Sequence, residues 1–271
     1  MDASLDPSWF LPVHRKAWLV ALFARYVRGM LRRQFHAVYL HRDKLPHAPT
    51  SGTPVVIFLN HASWWDPLVM LHISRHLFPK AKAYAPIEAA QLQRYAFFRW
   101  LGLFAVRAGS LSGGREFLRA SRLVLERDDA MLWITPEGRF VDVRERPIRF
   151  AQGLAHLAVR FPKARFIPLA VEYAYGTEKH AEIYLRFGAD LSGAEWGASA
   201  AEAQSRMEGA LEKTQTDLAA EVVARRYPGF DCVLSGTKGA SLPYDWWRRI
   251  RAWCRGDHAV LQHSPDRHHV G

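Results

Sequence analysis

The chain has 271 residues, 49% of them apolar, which is enough to bury the core of one large domain or two small ones. Its net charge of +11 indicates an anionic partner, and ten tryptophans with fifteen phenylalanines favour a membrane surface, where aromatic rings sit well among headgroups. Two cysteines, Cys232 and Cys254, exclude a disulfide framework and fit no zinc motif, so a reducing, cytosol-facing location is expected.

The first predicted element is a basic amphipathic helix from about Pro12 to Phe35. No secretory signal is expected, because the chain opens acidic and its apolar run is interrupted. That run, 17-AWLVALFA-24, is followed by arginines and is far shorter than the roughly 20 apolar residues of a spanning helix. The pattern favours a helix in the membrane interface, and the alternative is a helix packed on a soluble domain.

Strands and helices then alternate along the chain. The apolar run 55-VVIFL-59 is bounded by turn residues, which is typical of a strand buried on both faces. Alternation implies crossover units, hence an α/β fold with a largely parallel central sheet flanked by helices. Ser112 is expected to cap one of the helices. The predicted strands are 35–40, 55–59, 82–86, 103–107, 130–134, 164–173 and 181–188, and the predicted helices are 67–77, 87–101, 113–126, 151–160 and 195–226.

We predict three parts: the N-terminal helix at 1–34, the α/β domain at 35–226 and a C-terminal extension at 227–271. The extension contains the aromatic and basic stretch 245-DWWRRIRAWCRG-256, which is either a second membrane-contacting element or a docked terminal helix. The polar tail after Gly256 is expected to be disordered, and its histidines lack the spacing of metal ligands.

Several polar side chains follow predicted strands at their carboxyl ends, where open parallel sheets bind ligands. They are expected to converge. A histidine is a good proton acceptor near neutral pH, and better when a carboxylate orients its second ring nitrogen. His61 and Asp66 fit this pattern, although an aspartate that caps a helix beside an incidental histidine is the alternative. The converging residues are His61, Asp66, Arg107, Glu137 and Arg139.

The segment 135-TPEGRF-140 follows the predicted strand 130–134. Gly138 permits a tight turn, and Arg139 could bind phosphate oxygens with both arms of its guanidinium group. A surface turn with a solvated arginine is the alternative.

Taken together, these motifs resemble the glycerolipid acyltransferase family, typified by 1-acylglycerol-3-phosphate O-acyltransferases. The resemblance covers roughly residues 35–190. The combination of the first and third motifs is specific, whereas the second and fourth are weak alone. The four motifs are Asn60-His61-x4-Asp66, 102-GLFAVR-107, Pro136-Glu137-Gly138-Arg139 and 167-IPLAV-171.

The resemblance implies that His61 deprotonates an acceptor hydroxyl while Asp66 holds the imidazole. The oxygen then attacks the thioester of acyl-CoA or an acyl carrier protein directly. No enzyme residue is acylated, which agrees with the lack of a G-x-S-x-G elbow, and no cofactor or metal is implied. The protein is expected to be a peripheral or monotopic membrane protein on the cytoplasmic face of the cell membrane. The implied substrate-binding residues are Asn60, Arg107, Pro136, Glu137, Gly138 and Arg139.

Three departures from the family pattern leave the acceptor open. Arg139 follows Gly138 at once, where the family has a threonine between them. A lysine is missing from 84-YAPIEAAQL-92, and a basic residue from 150-FAQG-153. The acceptor is therefore either lysophosphatidic acid or a non-phosphorylated lyso-glycolipid, aminolipid or glycosylated terpenoid.

The role of three arginines near Arg139 and the class of function also stay open. These arginines could replace the missing phosphate contacts or form a solvated loop. A non-catalytic membrane-binding scaffold is a function of a different class. No recognised DNA- or RNA-binding motif is present, so nucleic acid is not an expected partner. The arginines in question are Arg144, Arg146 and Arg149.

Overall fold

The structure is a computed structural model that describes residues 6–191, 199–225 and 227–236. In these parts of the chain, helices cover both faces of a central sheet. Short 3-10 helices occur at Pro7–Phe10, Ala96–Leu101 and Tyr227–Gly229. The strands are β1 (Ala37–His41), β2 (Val55–Leu59), β3 (Lys82–Glu88), β4 (Leu103–Val106), β5 (Ala130–Ile134), β6 (Arg165–Ala174), β7 (Glu182–Phe187) and β8 (Phe230–Ser235). The α-helices are α1 (Ala17–Gln34), α2 (Asp66–Leu77), α3 (Ala89–Arg94), α4 (Leu111–Leu125), α5 (Gly153–Arg160) and α6 (Ala200–Val223).

The eight strands form one sheet in the order β4-β3-β5-β2-β6-β7-β1-β8. Strands β2 to β6 all run in the same direction. Strand β7 is antiparallel to β6, β1 is parallel to β7, and β8 is antiparallel to β1. The predicted α/β fold with a largely parallel central sheet is confirmed. Strand β8 therefore runs in the same direction as β2 to β6, and these strands end at one common edge, which is where the candidate site lies.

Strand β2 lies at the centre of the core. Ile57 belongs to the apolar cluster that contains residues of α1 and α2, whereas Phe58 faces the layer formed by α4, α5 and α6. Both side chains are fully buried. Burial of side chains of this size contributes about 1.5–3 kcal/mol each. The end of β2, and hence the start of the loop that carries His61, is therefore firmly positioned.

Helix α1 packs on the domain and exposes an apolar face at the same time. Val20, Val27 and Leu31 share one side of the helix and are buried. On the opposite side, Trp18 is 67% exposed and Leu22 is 59% exposed. The helix therefore packs against the domain, as the alternative interpretation of this segment holds, and it also exposes large apolar side chains on its outer side.

Two local predictions were wrong. The segment predicted as one helix over 87–101 is divided into α3 and a 3-10 helix. The 3-10 helix ends at Gly102, whose φ of 103° allows the chain to turn into β4. The cap of α4 is Ser110, not Ser112, because Ser110 has the extended backbone of an N-cap and accepts a hydrogen bond from the amide of Gly113 at 3.0 Å.

Strand β8 was not predicted, and it lies beyond the expected domain boundary at residue 226. It pairs with β1, whose other side pairs with β7. The sheet therefore continues past the predicted boundary, because β8 covers backbone groups of β1 that would otherwise form an open edge. The aromatic and basic stretch at 245–256 and the histidine-rich tail lie outside the described residues.

Candidate active site

The candidate site lies at the carboxyl edge of the parallel strands. Strands β2 and β5 are hydrogen-bonded neighbours that run in the same direction. His61 is the second residue after β2, and the loop 135–152 begins directly after β5. The two segments therefore meet at the same edge, which is where ligands bind in open α/β sheets.

His61 and Asp66 form a direct pair. The Nδ1 atom of His61 lies 2.8 Å from Oδ2 of Asp66. The Asp66 side chain is completely buried at the first residue of α2, while the imidazole is 17% exposed. An ionised carboxylate can only accept, so Nδ1 carries the proton and Nε2 carries the free lone pair. This arrangement gives a solvent-accessible imidazole the orientation of a general base.

Asp66 accepts two further hydrogen bonds. The backbone amide of Ser63 donates to Oδ2 at 2.9 Å, and the hydroxyl of Tyr173 donates to Oδ1 at 2.6 Å. Both carboxylate oxygens are thus satisfied inside the protein, as a buried charge requires. Sequence reasoning missed Tyr173, and its one signal was its place two residues beyond the 167-IPLAV-171 motif, on the same side of β6 as Val171.

Glu137 holds the backbone of His61. Its Oε2 atom accepts the His61 amide proton at 2.7 Å, and the His61 carbonyl accepts the amide proton of Val141 at 2.8 Å. Burial raises the pKa of Glu137, and the hydrogen bond from His61 opposes that effect. The ring of Phe140 lies 4.2 Å from the imidazole, centroid to centroid. The loop after β5 therefore contacts His61 through its backbone and its ring.

Asn60 was predicted to bind substrate, and the structure places its side chain in a structural contact with β6. Its side chain is 1% exposed and is bonded at both ends to the backbone of Val171. Its Nδ2 atom donates to the carbonyl of Val171, and its Oδ1 atom accepts the amide proton, each at 2.9 Å. Asn60 therefore joins the end of β2 to β6, and its side chain is buried in this contact.

Pro136 and Gly138 shape the turn that presents Glu137. Gly138 has a φ of 66°, in the left-handed region that favours glycine, and its amide bonds to the carbonyl of Thr135 at 3.2 Å. The carbonyl of Pro136 accepts from the amide of Ala151 at 2.8 Å, which closes the base of the loop. The contacts of Pro136 and Gly138 given by the structure are made through backbone atoms.

The two predicted arginines differ in position. Arg139 lies on the same loop as Glu137 and forms an ion pair with Glu145. Arg107 follows β4, three strands away from β2, which separates the strand ends by about 14 Å. It pairs with Glu116, and its guanidinium carbon lies 4.2 Å from the centre of the Phe10 ring. The predicted convergence therefore includes Arg139 but leaves Arg107 at the far side of the edge.

The neighbouring arginines of the loop are exposed and have partners of their own. Arg144 forms an ion pair with Asp142, and Arg149 lies 3.6 Å from Glu208 of α6. Arg146 donates to backbone carbonyls of the same loop. All three are available at the surface near Arg139, with part of their charge already compensated.

Comparison with known proteins bears on the identity of this site. A model of the family described as Acyltransferase matches residues 36–172, which is half of the chain and includes His61, Asp66 and Glu137. The chain belongs to this acyltransferase family. No curated protein matches it in sequence.

The fold of this acyltransferase is also similar to a solved structure. That structure is the crystal structure of the 1-acyl-sn-glycerophosphate (LPA) acyltransferase PlsC from Thermotoga maritima. The TM-score is 0.52 and the sequence identity is 14%, over 75% of this chain and 79% of that one. At this identity the likeness concerns the fold.

Possible metal ligands and a cavity at the opposite edge of the sheet bear on the extent of the site in this acyltransferase. In the parts of the chain that the structure describes, no cluster of three or more His, Cys, Asp or Glu side chains could hold a metal ion. A cavity of about 370 Å³ is lined by residues such as Pro54, Arg127 and Ala164, where β2, β5 and β6 begin. It is separated from His61 by the length of β2, so it forms no part of the candidate active site.

Proposed function

We propose that the protein transfers an acyl group from an acyl thioester to a hydroxyl of a lyso-lipid acceptor such as 1-acylglycerol-3-phosphate. Nε2 of His61 takes the hydroxyl proton while the oxygen attacks the thioester carbonyl. The tetrahedral intermediate then expels the thiolate, which takes the proton back from the imidazolium. Asp66 orients the imidazole and compensates its charge during the reaction.

The pairing of a partly exposed His61 with a fully buried Asp66 at 2.8 Å is the observation that carries this proposal. A buried carboxylate is a strong electrostatic partner for the imidazolium, because little water screens their interaction. The loop after β5 presents Glu137 and Arg139 beside this pair, and the family match spans both segments.

An acceptor without a phosphate is the second candidate. It is favoured by the partners of the two arginines, since Arg107 pairs with Glu116 and Arg139 pairs with Glu145. A phosphate would have to compete with a carboxylate at each of these guanidinium groups. A lyso-glycolipid, an aminolipid or a glycosylated terpenoid would not require that competition.

The donor would be acyl-CoA or an acyl carrier protein, since both are anionic and the chain has a net charge of +11.

We further propose that the protein binds the cytoplasmic face of the cell membrane from one side. Support comes from α1, where Trp18, Leu22 and Tyr26 are exposed beside arginines. Among the helices that the structure describes, none combines the length and the apolar character that crossing a bilayer takes.

The test is acyl transfer by full-length protein in lipid or detergent, followed as thiol release from the donor. His61→Gln should lower turnover by about 10²–10⁴-fold, as loss of a general base does. His156→Gln, which changes an exposed histidine on α5, is the matched control and should transfer at the parent rate. Equal rates in the parent and His61→Gln would exclude the proposed mechanism, and no acceptor-dependent release by the parent would favour a non-catalytic scaffold.

The same assay distinguishes the two acceptor classes. Lysophosphatidic acid and uncharged lyso-lipids of equal chain length are compared at matched concentration with the parent protein. A preference for lysophosphatidic acid over every uncharged acceptor would remove the second candidate.

A further inference from the structure

Tyr173 makes a direct contact with the buried carboxylate behind His61. It lies on β6, and its hydroxyl donates to Oδ1 of Asp66 at 2.6 Å. The other carboxylate oxygen, Oδ2, accepts from His61 and from the backbone of Ser63. Each oxygen of Asp66 thus faces a different side, with the tyrosine on one and the imidazole on the other.

Aromatic packing holds Tyr173 in this position. The ring of Phe35 lies 5.9 Å from the ring of Tyr173, and the ring of Trp65 meets Phe35 edge-on at 5.0 Å. Phe35 ends α1 and Trp65 directly precedes Asp66. Three elements therefore fix the phenol against the carboxylate. Burial and the charge of Asp66 raise the pKa of Tyr173 well above its usual range, so the hydroxyl remains a donor.

We propose that Tyr173 is a positioning residue that sets the orientation and the charge of Asp66, and through Asp66 the proton affinity of His61. This inference rests on the proposed function of His61 as the general base. The bond to Oδ1 prevents the carboxylate from rotating, so Oδ2 stays directed at Nδ1 of the imidazole. It also withdraws charge from the carboxylate, because a short bond to an ionised acceptor is strong.

Other charged groups near the contacts from Tyr173 through Asp66 to His61 also affect the pH dependence of these contacts. Glu137 and Arg139, both on the loop after β5, interact electrostatically with each other, and Glu137 also interacts with His61 and Asp66. Tyr173→Phe leaves all of these groups in place. It removes one hydroxyl and leaves the ring, so a change in the titration of His61 would report the lost bond to Asp66.

The experiment compares Tyr173→Phe with a matched control on the same sheet. Tyr184 also donates from a buried hydroxyl to a buried carboxylate, Oε2 of Glu182, at 2.6 Å. Tyr184→Phe removes the same type of bond away from His61. Protein with ¹³C-labelled histidine is titrated by NMR, with the His61 signal assigned from its loss in His61→Gln, and acyl transfer is measured across pH.

For Tyr173→Phe we expect the titration midpoint of His61 to rise by about half to one pH unit, because a less compensated carboxylate favours the imidazolium. The acidic limb of the kcat profile should move upward by the same amount. We expect kcat to fall by about 5- to 50-fold with little change in KM, since loss of a bond to a charged group is costly. Tyr184→Phe should change neither the midpoint nor kcat.

An unchanged His61 midpoint in Tyr173→Phe, or an equal shift in both tyrosine variants, would overturn the positioning role. The His61 midpoint could shift in Tyr173→Phe while the parent protein transfers no acyl group. That result would support the coupling between Tyr173 and His61 and overturn the proposed function instead. If Tyr173→Phe does not fold, the parent decides the question. The ¹³Cζ signal of Tyr173 should then titrate at the midpoint of His61, and that of Tyr184 should not; a Tyr173 signal that ignores this midpoint counts against the proposal.

Discussion

At the scale of single residues, His61 is held by its backbone as firmly as by its ring. Glu137 accepts the His61 amide proton at 2.7 Å, and an amide left without this acceptor inside the protein would destabilise the fold. Burial raises the pKa of Glu137, so the charged carboxylate itself is disfavoured in the folded state. The contribution of protonated Glu137 to the free energy of unfolding is therefore complete below about pH 4.5. It is lost as the pH rises through the higher pKa of the folded state.

This balance predicts different effects for two substitutions of Glu137. Glu137→Gln keeps an acceptor and removes the half-buried charge, so the free energy of unfolding at pH 7 should stay within about 1 kcal/mol of the parent. Glu137→Ala leaves the His61 amide unpaired and should cost about 1–3 kcal/mol. Urea unfolding measures both, with Glu126→Ala, which breaks an exposed ion pair, as a control that should cost less than about 1 kcal/mol. Equal losses for Gln and Ala would show that the charge, not the acceptor, matters.

At the scale of elements, α1, α2 and β8 meet around His72. This residue lies on α2, and its buried Nε2 atom has no hydrogen-bond partner among the described residues. Burial lowers the pKa of His72 to about 4, repulsion by His76 and by Arg28 of α1 adds to this, and a hydrogen bond to the backbone of Val233 on β8 opposes it. A proton on His72 is therefore accepted far more readily by the unfolded chain than by the folded one.

The stability of this junction should depend on pH. The depressed pKa means that the contribution of His72 is complete above pH 6.5 and is lost as the pH falls toward 4. At pH 5 the loss should be about 2 kcal/mol relative to pH 7. In His72→Phe this loss should disappear, whereas His76→Phe, which changes an exposed neighbour on α2, should keep most of it, because burial is the larger cause of the lowered pKa. The measurement is urea unfolding at both pH values, and identical pH dependence in the parent and His72→Phe would refute the assignment.

At the scale of the whole molecule, charge and exposed aromatic surface occur together on α1. The chain has a net charge of +11, and Trp18 is 67% exposed on the side of the helix that faces away from the core. Phe35, at the end of α1, contacts the ring of Tyr173. The end of α1 that leads into β1 therefore lies near the candidate site, whereas Trp18 lies about 25 Å away at the other end of the helix.

Binding to lipid vesicles tests this arrangement. The parent should co-sediment with vesicles that contain anionic lipid, less strongly in high salt, because screening weakens the attraction. Trp18→Ser should weaken binding by about tenfold or more through loss of buried apolar area. Val223→Ser, which changes an apolar residue that is 81% exposed on α6, should bind like the parent. Binding that is unaffected by Trp18→Ser would contradict the role of α1.

Local sequence was sufficient for most elements and for the central pair of the site. The apolar run 55–59 determines a strand buried on both faces, and residues that directly follow it must lie at the edge of the sheet. The separation of His61 and Asp66 by one loop and the start of a helix already places them within reach of each other. Such features depend on neighbours in sequence, which is why reasoning from pattern succeeded there.

The rest depended on which distant segments the fold brings together. Tyr173 contacts Asp66 only because β6 is the neighbour of β2, and Asn60 is occupied by Val171 for the same reason. Arg107 lies far from His61 because two strands separate β4 from β2. Strand order arises from packing across the whole sheet, and no local pattern encodes it. The sequence by itself determined most of the elements, the family and the His61–Asp66 pair. Only the tertiary structure decided which side chains surround that pair.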